Sequence, residues 1–387
     1  MKKVLVLTEN FPPIEGGSGR WFWELYSRLP REQVLIVAHS EDGASKFDQS
    51  HNLNIIRMPL RCPEWGLKSL TGLKFYFQTI RQLRSIIKQN GITEIHCGRV
   101  IHEGVTAWLL NLVFGIPYRC FVHGEDVECA ASSREQAWLV RQVCKRARNL
   151  ICNSQNSAGL VESLGFGNAG QCAVLNPGVD TNQFLPAAPD LDFRAQMGWT
   201  DKTVLLTVGR LQQRKGQDYL IEAMPALLKR KPDLFYAIVG RGEQHQNLLG
   251  KIQQLGLESK VVVYTNLDDL QLVKCYQQCD LFVLPNRTIG GDIEGFGMVL
   301  VEAQACGKPV VAGNSGGTAE ALADSETGSI IDAATVASIE KGIGEVLESL
   351  PVMDASRQRQ LHDKTAIKFG WKGHVKKFSR LVNWDAD

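Results

Sequence analysis

Residues 280–313 read DLFVLPNRTIGGDIEGFGMVLVEAQACGKPVVAG, and the order of runs in this segment decides the fold. DLFVLP is a short apolar run closed by Pro285, the mark of a strand buried on both faces of a sheet. A glycine-rich loop follows, then a helix expected from about Met298, then KPVVAGN, a second buried strand. Strand, helix and strand in this order form a βαβ unit, and such units build parallel sheets. The loop lies at the carboxyl end of its strand, where open parallel sheets bind ligands. It carries Glu294, and Glu302 stands eight residues further on, in the helix. A carboxylate on so apolar a helix requires a partner.

The same alternation runs through both halves of the 387-residue chain. KKVLVLTE, QVLIVAH, LNIIRMP, EIHCGR, YRCFVHG and NLICNS read as strands, with helices expected near 21–29, 70–89, 104–114 and 135–146. Residues 176–190, NPGVDTNQFLPAAPD, hold three prolines and read as a linker. KTVLLTVGR, LFYAIVGRG, KVVVYTN, DLFVLP, KPVVAGN and GSIID then restart the pattern, with helices near 217–229, 244–255, 270–279 and 318–323. One core rarely serves so long a chain. The expected fold is therefore α/β, with two doubly wound Rossmann-like domains facing each other across a cleft.

A hydrophobic content of 44%, a charged content of 22% and a net charge of +2 suit a soluble globular protein and give no case for nucleic acid. The ten cysteines are scattered from Cys62 to Cys306 without CxxC pairs, so reduced thiols are expected. The opening MKKVLVLTENFPP is too short in apolar residues for a signal peptide, and AWLLNLVFGIP is too short to span a bilayer. A cytoplasmic protein is expected, with attachment to a membrane surface left open.

Several loops carry residues suited to chemistry. In GRLQQRKG, Arg210 and Lys215 follow the strand TVLLTV, and a guanidinium fork with an ammonium suits a diphosphate. Arg214 competes for that role or faces water, and a solvated basic loop is the plainer reading. The N–H groups around Gly295–Gly297 open a helix and are free for oxygen-rich ligands. A carboxylate can accept both hydroxyls of a cis-diol such as ribose. Otherwise Glu294 caps the helix and Glu302 forms an ion pair. EGGSGR offers Gly16 and Gly17 but is neither a P-loop nor a dinucleotide fingerprint. His123, in FVHGED, ends a strand, and a structural role competes with a functional one.

Taken together, these pieces resemble glycosyltransferase family 4, retaining enzymes of the GT-B fold. Gly16-Gly17 resembles the family's N-terminal glycine loop, His123-Gly124 its HG motif and NPGVDTNQF its linker. GRLQQRKG, the E-x7-E pair Glu294/Glu302 and GNSGGTAEAL resemble its donor site. Residues 286–317 are especially similar to the branch of bacterial phosphatidylinositol mannosyltransferases and envelope-polysaccharide transferases. The resemblance implies that Arg210 and Lys215 bind the donor's diphosphate and Glu302 its ribose. Glu294, Gly295 and the amides of Phe296 and Gly297 would hold sugar hydroxyls, Gly16 and Gly17 would approach the diphosphate, and His123 would contact the sugar. His123, Arg210, Lys215 and Glu294 are thus the expected catalytic group. No metal or cofactor is implied, and no DxD motif is placed to hold a metal–diphosphate complex.

The implied activity is transfer of a hexose, with glucose from a UDP-sugar favoured and GDP-mannose the alternative, to a lipid-linked or polysaccharide-precursor acceptor. A nucleotide-sugar epimerase of the same fold would need acid–base carboxylates that cannot be assigned. The resemblance also implies an acceptor-binding domain of residues 1–183, a donor-binding domain of 184–365 and a C-terminal helix, within 366–387, crossing back to the first. Phe369, Trp371, Val375, Phe378 and Leu381 are spaced for one buried face of that helix. Between Arg57 and Lys88 lie Arg61, Lys68, Lys74, Arg81 and Arg84, with Glu64 the single acid. Leu70, Leu73, Phe77, Ile80, Leu83 and Ile87 read as the core face of the helix there, and Trp65, Phe75 and Tyr76 as residues able to enter an anionic membrane surface.

Overall fold

The structure, a computed structural model, describes residues 2–14, 16–64, 66–350 and 352–384. Glu15 of the first glycine loop, Trp65 and residues 385–387 lie outside them. The chain forms two compact units, Met1–Gly178 with Trp371–Asp387, and Val179–Gly370. The first unit holds β1 (Val4–Thr8), β2 (Val34–His39), β3 (Ile55–Met58), β4 (Glu94–Cys97), β5 (Tyr118–Val122), β6 (Leu150–Cys152) and β7 (Cys172–Val174). The second holds β8 (Thr203–Val208), β9 (Leu234–Val239), β10 (Val261–Tyr264), β11 (Leu281–Leu284), β12 (Val310–Gly313) and β13 (Gly328–Ile331). The strand orders are β3-β2-β1-β4-β5-β6-β7 and β10-β9-β8-β11-β12-β13, and the paired strands run parallel.

Parallel strands wrapped by helices on both sides bury both faces, which is why their residues are continuously apolar. In the second unit Leu205, Tyr236, Val283 and Val311 face one core, while Leu206, Ala237, Phe282 and Ala312 face the other. In both sheets the order reverses beside the first strand of the unit, between β1 and β4 and between β8 and β11. Loops at that reversal leave the sheet in opposite directions and open a crevice at the carboxyl ends.

Residues 176–190 contain the boundary between the two units, after Gly178, and beyond it the segment is packed: Phe184 is buried against Tyr276 with ring centroids 5.7 Å apart, and Asp190 caps the helix Leu191–Gln196 by accepting from the Phe193 N–H at 2.9 Å. Two expectations change. The helix Leu70–Asn90 buries Gly72, Tyr76, Thr79, Leu83 and Ile87, whereas Leu70, Leu73 and Phe77 are 86%, 47% and 69% exposed. Its apolar positions outnumber those one face can bury, so the stripe read from sequence merged an inner and an outer face. The C-terminal segment is two helices, Ala355–Phe369 and Trp371–Leu381, because Gly370 adopts an extended conformation with ψ 138. Phe369 belongs to the core of the second unit, while Val375 and Leu381 are only half-buried.

The helix Trp371–Leu381 is integral to the first unit. The Phe378 ring meets Tyr26 at 5.7 Å and Phe121 at 6.3 Å between centroids, and the Arg28 guanidinium lies 5.3 Å from the Trp371 ring centroid. Phe378→Ala should destabilise this unit by about 3–5 kcal/mol through the lost contacts and the cavity left behind. Hydrogen exchange should show faster opening of β1, β4 and β5, with β8–β13 unchanged. Equal acceleration in both sets of strands would contradict a role confined to the first unit.

Candidate functional site

At the reversal in the second sheet, the loop after β8 meets the loop after β11. A Cβ on Gly216, at φ +75, would lie 1.9 Å from the Pro285 carbonyl oxygen, so the loops touch where only glycine fits. The Arg287 N–H donates to the Arg214 carbonyl at 2.8 Å. The Arg287 side chain forks onto Asp218, both bonds 2.8 Å, with its guanidinium 3.7 Å from the Tyr219 ring centroid.

These contacts bring Lys215, Arg214 and Glu294 together. Glu294 is buried, and its Oε2 accepts from Lys215 Nζ and, at 2.7 Å, from Arg214 Nη1. Arg214 Nε also lies 2.9 Å from Asp292 Oδ1. Arg214 therefore does not face water, and Lys215 is buried rather than projecting as a bare cation. Burial alone would raise the Glu294 pKa, but the charges of Lys215 and Arg214 outweigh it and hold the group at about 2. Glu294 Oε1 makes no hydrogen bond to a described residue. Beneath it, the Gly317 N–H donates to the Glu294 carbonyl at 2.9 Å, and a Cβ on Gly316 would fall 2.1 Å from that same oxygen. The small residues of GNSGGTAEAL are thus required by close packing under the carboxylate loop.

The helix Met298–Ala305 starts at Gly297, which stands at φ 91, and Gly295 is half-buried just before it. Among the described residues, neither the Phe296 nor the Gly297 N–H has an acceptor. The Phe296 ring turns away into the core, 5.8 Å from Phe369 between centroids. Glu302 is buried, and its Oε2 accepts from the Tyr276 hydroxyl at 2.7 Å. Arg210 is exposed, and its carbonyl accepts from Gln217 Nε2 at 3.1 Å.

In the first unit, Gly16 stands at φ 155 immediately before the helix Gly17–Tyr26, with Gly17 exposed at the helix's start. His123 follows β5, packed edge-on against Trp21 and Phe22 at 5.7 and 5.8 Å. Its Nε2 lies 2.8 Å from the Gly98 carbonyl. A carbonyl only accepts, so Nε2 carries a proton, and in the neutral ring Nδ1 is then the acceptor. The reversal between β1 and β4 also holds a cluster that sequence reading missed. Glu9 Oε2 accepts from Arg99 Nη2 at 3.0 Å, and the Glu9 N–H donates to Glu103 Oε1 at 3.0 Å. Burial would raise the Glu9 pKa, but His102 and Arg99 outweigh it and keep the carboxyl at about 2. His102 stands at φ 23, a conformation strained by roughly 1–3 kcal/mol for a non-glycine residue. The available signal was position: these residues directly follow two adjacent strands.

Residues 15–183 match the profile described as Glycosyltransferase Family 4, and residues 190–361 match that of Glycosyl transferases group 1. The chain is 31% identical over 363 residues to a GDP-mannose-dependent alpha-(1-6)-phosphatidylinositol monomannoside mannosyltransferase of Mycolicibacterium smegmatis, covering 89% of each. It is 29% identical over 380 residues to a GDP-mannose-dependent monoacylated alpha-(1-6)-phosphatidylinositol monomannoside mannosyltransferase of Corynebacterium glutamicum, covering 96% of this chain and 95% of that one. Among solved structures it is similar to Anabaena Alr3699/HepE in complex with UDP-glucose, with a TM-score of 0.80 and 21% identity over 99% of this chain and 100% of that one. That likeness establishes the shared fold, GT-B, with two Rossmann-like domains.

The depressed pKa of Glu294 fixes the sign of a pH effect. The ionised carboxylate contributes its full stabilisation above the unfolded value of 4.5 and loses it as pH falls toward about 2. The stability advantage of the native protein over Glu294→Gln should be greatest above that range, about 3 kcal/mol at most from the size of the shift. It should shrink steadily on acidification. Chemical denaturation at a series of pH values measures it, and a difference independent of pH would contradict the paired geometry.

Proposed function

The chain belongs to glycosyltransferase family 4 and is a hexosyltransferase, and on that premise we propose that it transfers mannose from GDP-mannose to a hydroxyl of a lipid-linked acceptor, with retention at the anomeric carbon. The observation that carries the reading is Glu294, an ionised carboxylate with Oε2 held by two cations, two residues before Phe296 and Gly297, whose amides, like Oε1, have no hydrogen-bond partner among the described residues. That set of donors and acceptors suits a polyhydroxy ring next to an anion. Sequence alone favoured UDP-glucose; the two GDP-mannose-dependent relatives, together covering most of the chain, support mannose and guanosine instead.

In this reading Lys215 and Arg210 bind the diphosphate, with Lys215 shared between phosphate and Glu294. Glu294 Oε1, Gly295 and the amides of Phe296 and Gly297 take sugar hydroxyls, and Glu302 takes the ribose. In the first unit, His123 Nδ1 accepts from a sugar hydroxyl, and Gly16 and Gly17 offer N–H groups to phosphate. As the bond from the anomeric carbon to the phosphate oxygen breaks, negative charge collects on the leaving diphosphate, where Lys215 and Arg210 stabilise it. The acceptor hydroxyl bonds to the same face of that carbon and passes its proton to the leaving phosphate. Glu9, ionised at the carboxyl end of β1, gives the first unit a hydrogen-bond acceptor for a hydroxylated acceptor substrate.

Lipid attachment of the acceptor is supported by the outer face of the helix Leu70–Asn90. Exposed Leu70, Leu73 and Phe77 continue along it into exposed Lys74, Arg81, Arg84 and Lys88. Tyr76 is buried and Phe75 half-buried, so they do not contribute as the sequence suggested. Arg57 and Arg61 are paired with Asp48 and Glu41 and also drop out. No helix among the described residues is long and apolar enough to cross a membrane. Each cation near an anionic surface contributes about 1 kcal/mol, so this face suffices for reversible docking.

Two measurements test the proposal. GDP-mannose should raise the melting temperature and be slowly hydrolysed to GDP, with UDP-glucose inert. Lys215→Ala and Arg210→Ala should each weaken GDP by about 1.5–3 kcal/mol and reduce turnover further. A response to UDP-glucose alone would replace the donor, and normal turnover in both variants would reject the site. For docking, sedimentation with vesicles should rise with anionic lipid and fall when Lys74, Arg81 and Arg84 become glutamine. Binding that ignores either change would leave a soluble acceptor.

A further inference from the structure

Glu302 has three side-chain torsions to fix, and it stands on a helix whose neighbouring residues are apolar. The other buried polar side chain of that helix, Gln304, holds backbone: its Nε2 donates to the Leu300 and Ala321 carbonyls at 2.9 and 2.8 Å, and its Oε1 accepts from the Ala323 N–H at 2.6 Å. Glu302 is treated differently. Its Oε2 meets the Tyr276 hydroxyl at 2.7 Å. Tyr276 lies on the helix Asp269–Gln278, is fully buried, and is wedged between Phe184 and Phe282 at 5.7 and 5.6 Å between centroids. A ring packed on two sides has no freedom to follow a moving carboxylate, so its O–H defines where Oε2 must be.

We propose that Tyr276 is a positioning residue for nucleoside recognition. Its hydroxyl locks the Glu302 carboxylate in the orientation that accepts the two hydroxyls of a ribose, and so gives the site its preference for ribose over deoxyribose. The inference rests on the reading of Glu302 as the ribose-binding residue. A phenol O–H donating to a carboxylate is a charge-assisted bond, shorter and stronger than a neutral one. With Oε2 anchored, the carboxylate plane is set before the ligand arrives, and little rotamer freedom remains to be lost on binding. Without the anchor more rotamers become accessible to the carboxylate, and fewer of them offer acceptors to both hydroxyls of a cis-diol at once. Tyr276 itself touches no ligand in this scheme.

The test is calorimetric binding of GDP and 2′-deoxy-GDP to the full-length protein, with the uridine pair run in parallel. The native protein should prefer the ribose form about tenfold, the loss expected for one hydrogen bond to a charged group. Tyr276→Phe removes one oxygen and keeps the packed ring, so it should fold with its melting temperature little changed. It should weaken GDP about tenfold, leave 2′-deoxy-GDP nearly unchanged and so erase most of the preference. In turnover it should raise KM for the donor with kcat little altered, because the ribose is remote from the bond that breaks. Phe184→Leu loosens the same packing while keeping the hydroxyl, and should retain the preference. Glu302→Ala separates the two ideas. If it abolishes the preference while Tyr276→Phe keeps it, the positioning role is overturned and Glu302 remains the ribose residue. If Glu302→Ala keeps the preference, the reading of Glu302 falls and the role of Tyr276 falls with it.

Discussion

Glu294 is charged in a buried position, and the second unit is organised around that constraint. A carboxylate removed from water without a partner would be protonated. Its partners Lys215 and Arg214 come from the loop of an adjacent strand. For both loops to reach one point, β8 and β11 must be neighbours with their carboxyl ends on the same side, as parallel strands are. Every further contact at this point serves the approach of the two loops: glycine at 216 against Pro285, the Arg287 N–H on the Arg214 carbonyl, and the fork of Arg287 on Asp218. Buried ion pairs contribute little net stability compared with apolar packing, although breaking one is strongly destabilising. The arrangement is better understood as the way a folded chain keeps a carboxylate ionised at the carboxyl edge of the sheet.

The sequence made the architecture legible because strands buried on both faces need no alternation, and runs such as TVLLTV or LFYAIV have few other readings. It also located the loops that carry Arg210, Lys215 and Glu294, since in parallel sheets ligand-facing loops follow strands. Pairing was not legible. Tyr276 lies 26 residues before Glu302 and reads as one more aromatic on an amphipathic helix; only the tertiary fold makes it the donor to Oε2. Asp218 and Arg287 are 69 residues apart, and nothing local links them. The helix Leu70–Asn90 failed for another reason. Periodicity identifies an apolar stripe but not the side from which the sheet approaches, so Leu70, Leu73 and Phe77 were placed inside while Thr79 was passed over.

The two units use the reversal of strand order in different ways. In the first, Glu9, Arg99, His102 and Glu103 form a cluster of facing charged and polar groups, with Glu9 partly exposed at its edge. Such a cluster presents a charge whose orientation is already fixed by its neighbours, which suits recognition of hydroxyl groups. In the second, the cations lie beside carboxylates that the proposed diphosphate would have to share or displace. On that reading the first arrangement would change little on binding, whereas the second would exchange partners.

That exchange answers a physical difficulty common to sites for highly charged ligands. A lysine left buried without a counter-ion between ligands would be deprotonated or would destabilise the fold by several kcal/mol. Glu294 removes the difficulty by pairing with Lys215. On the proposed reading, a diphosphate would meet a cation already desolvated and held by Glu294, which Arg214 anchors in turn, so no new charge would have to be stripped of water. The attraction it gains would be reduced by the competing carboxylate, whose Oε1 would take a hydroxyl of the sugar the phosphate carries. In that reading one side chain would couple the two halves of the donor: the phosphate would weaken the hold of Lys215 on Glu294, and a sugar hydroxyl donating to Glu294 would compensate the loss. A free nucleoside diphosphate would supply the first change without the second, so discrimination between intact donor and spent nucleotide would follow from the pairing itself.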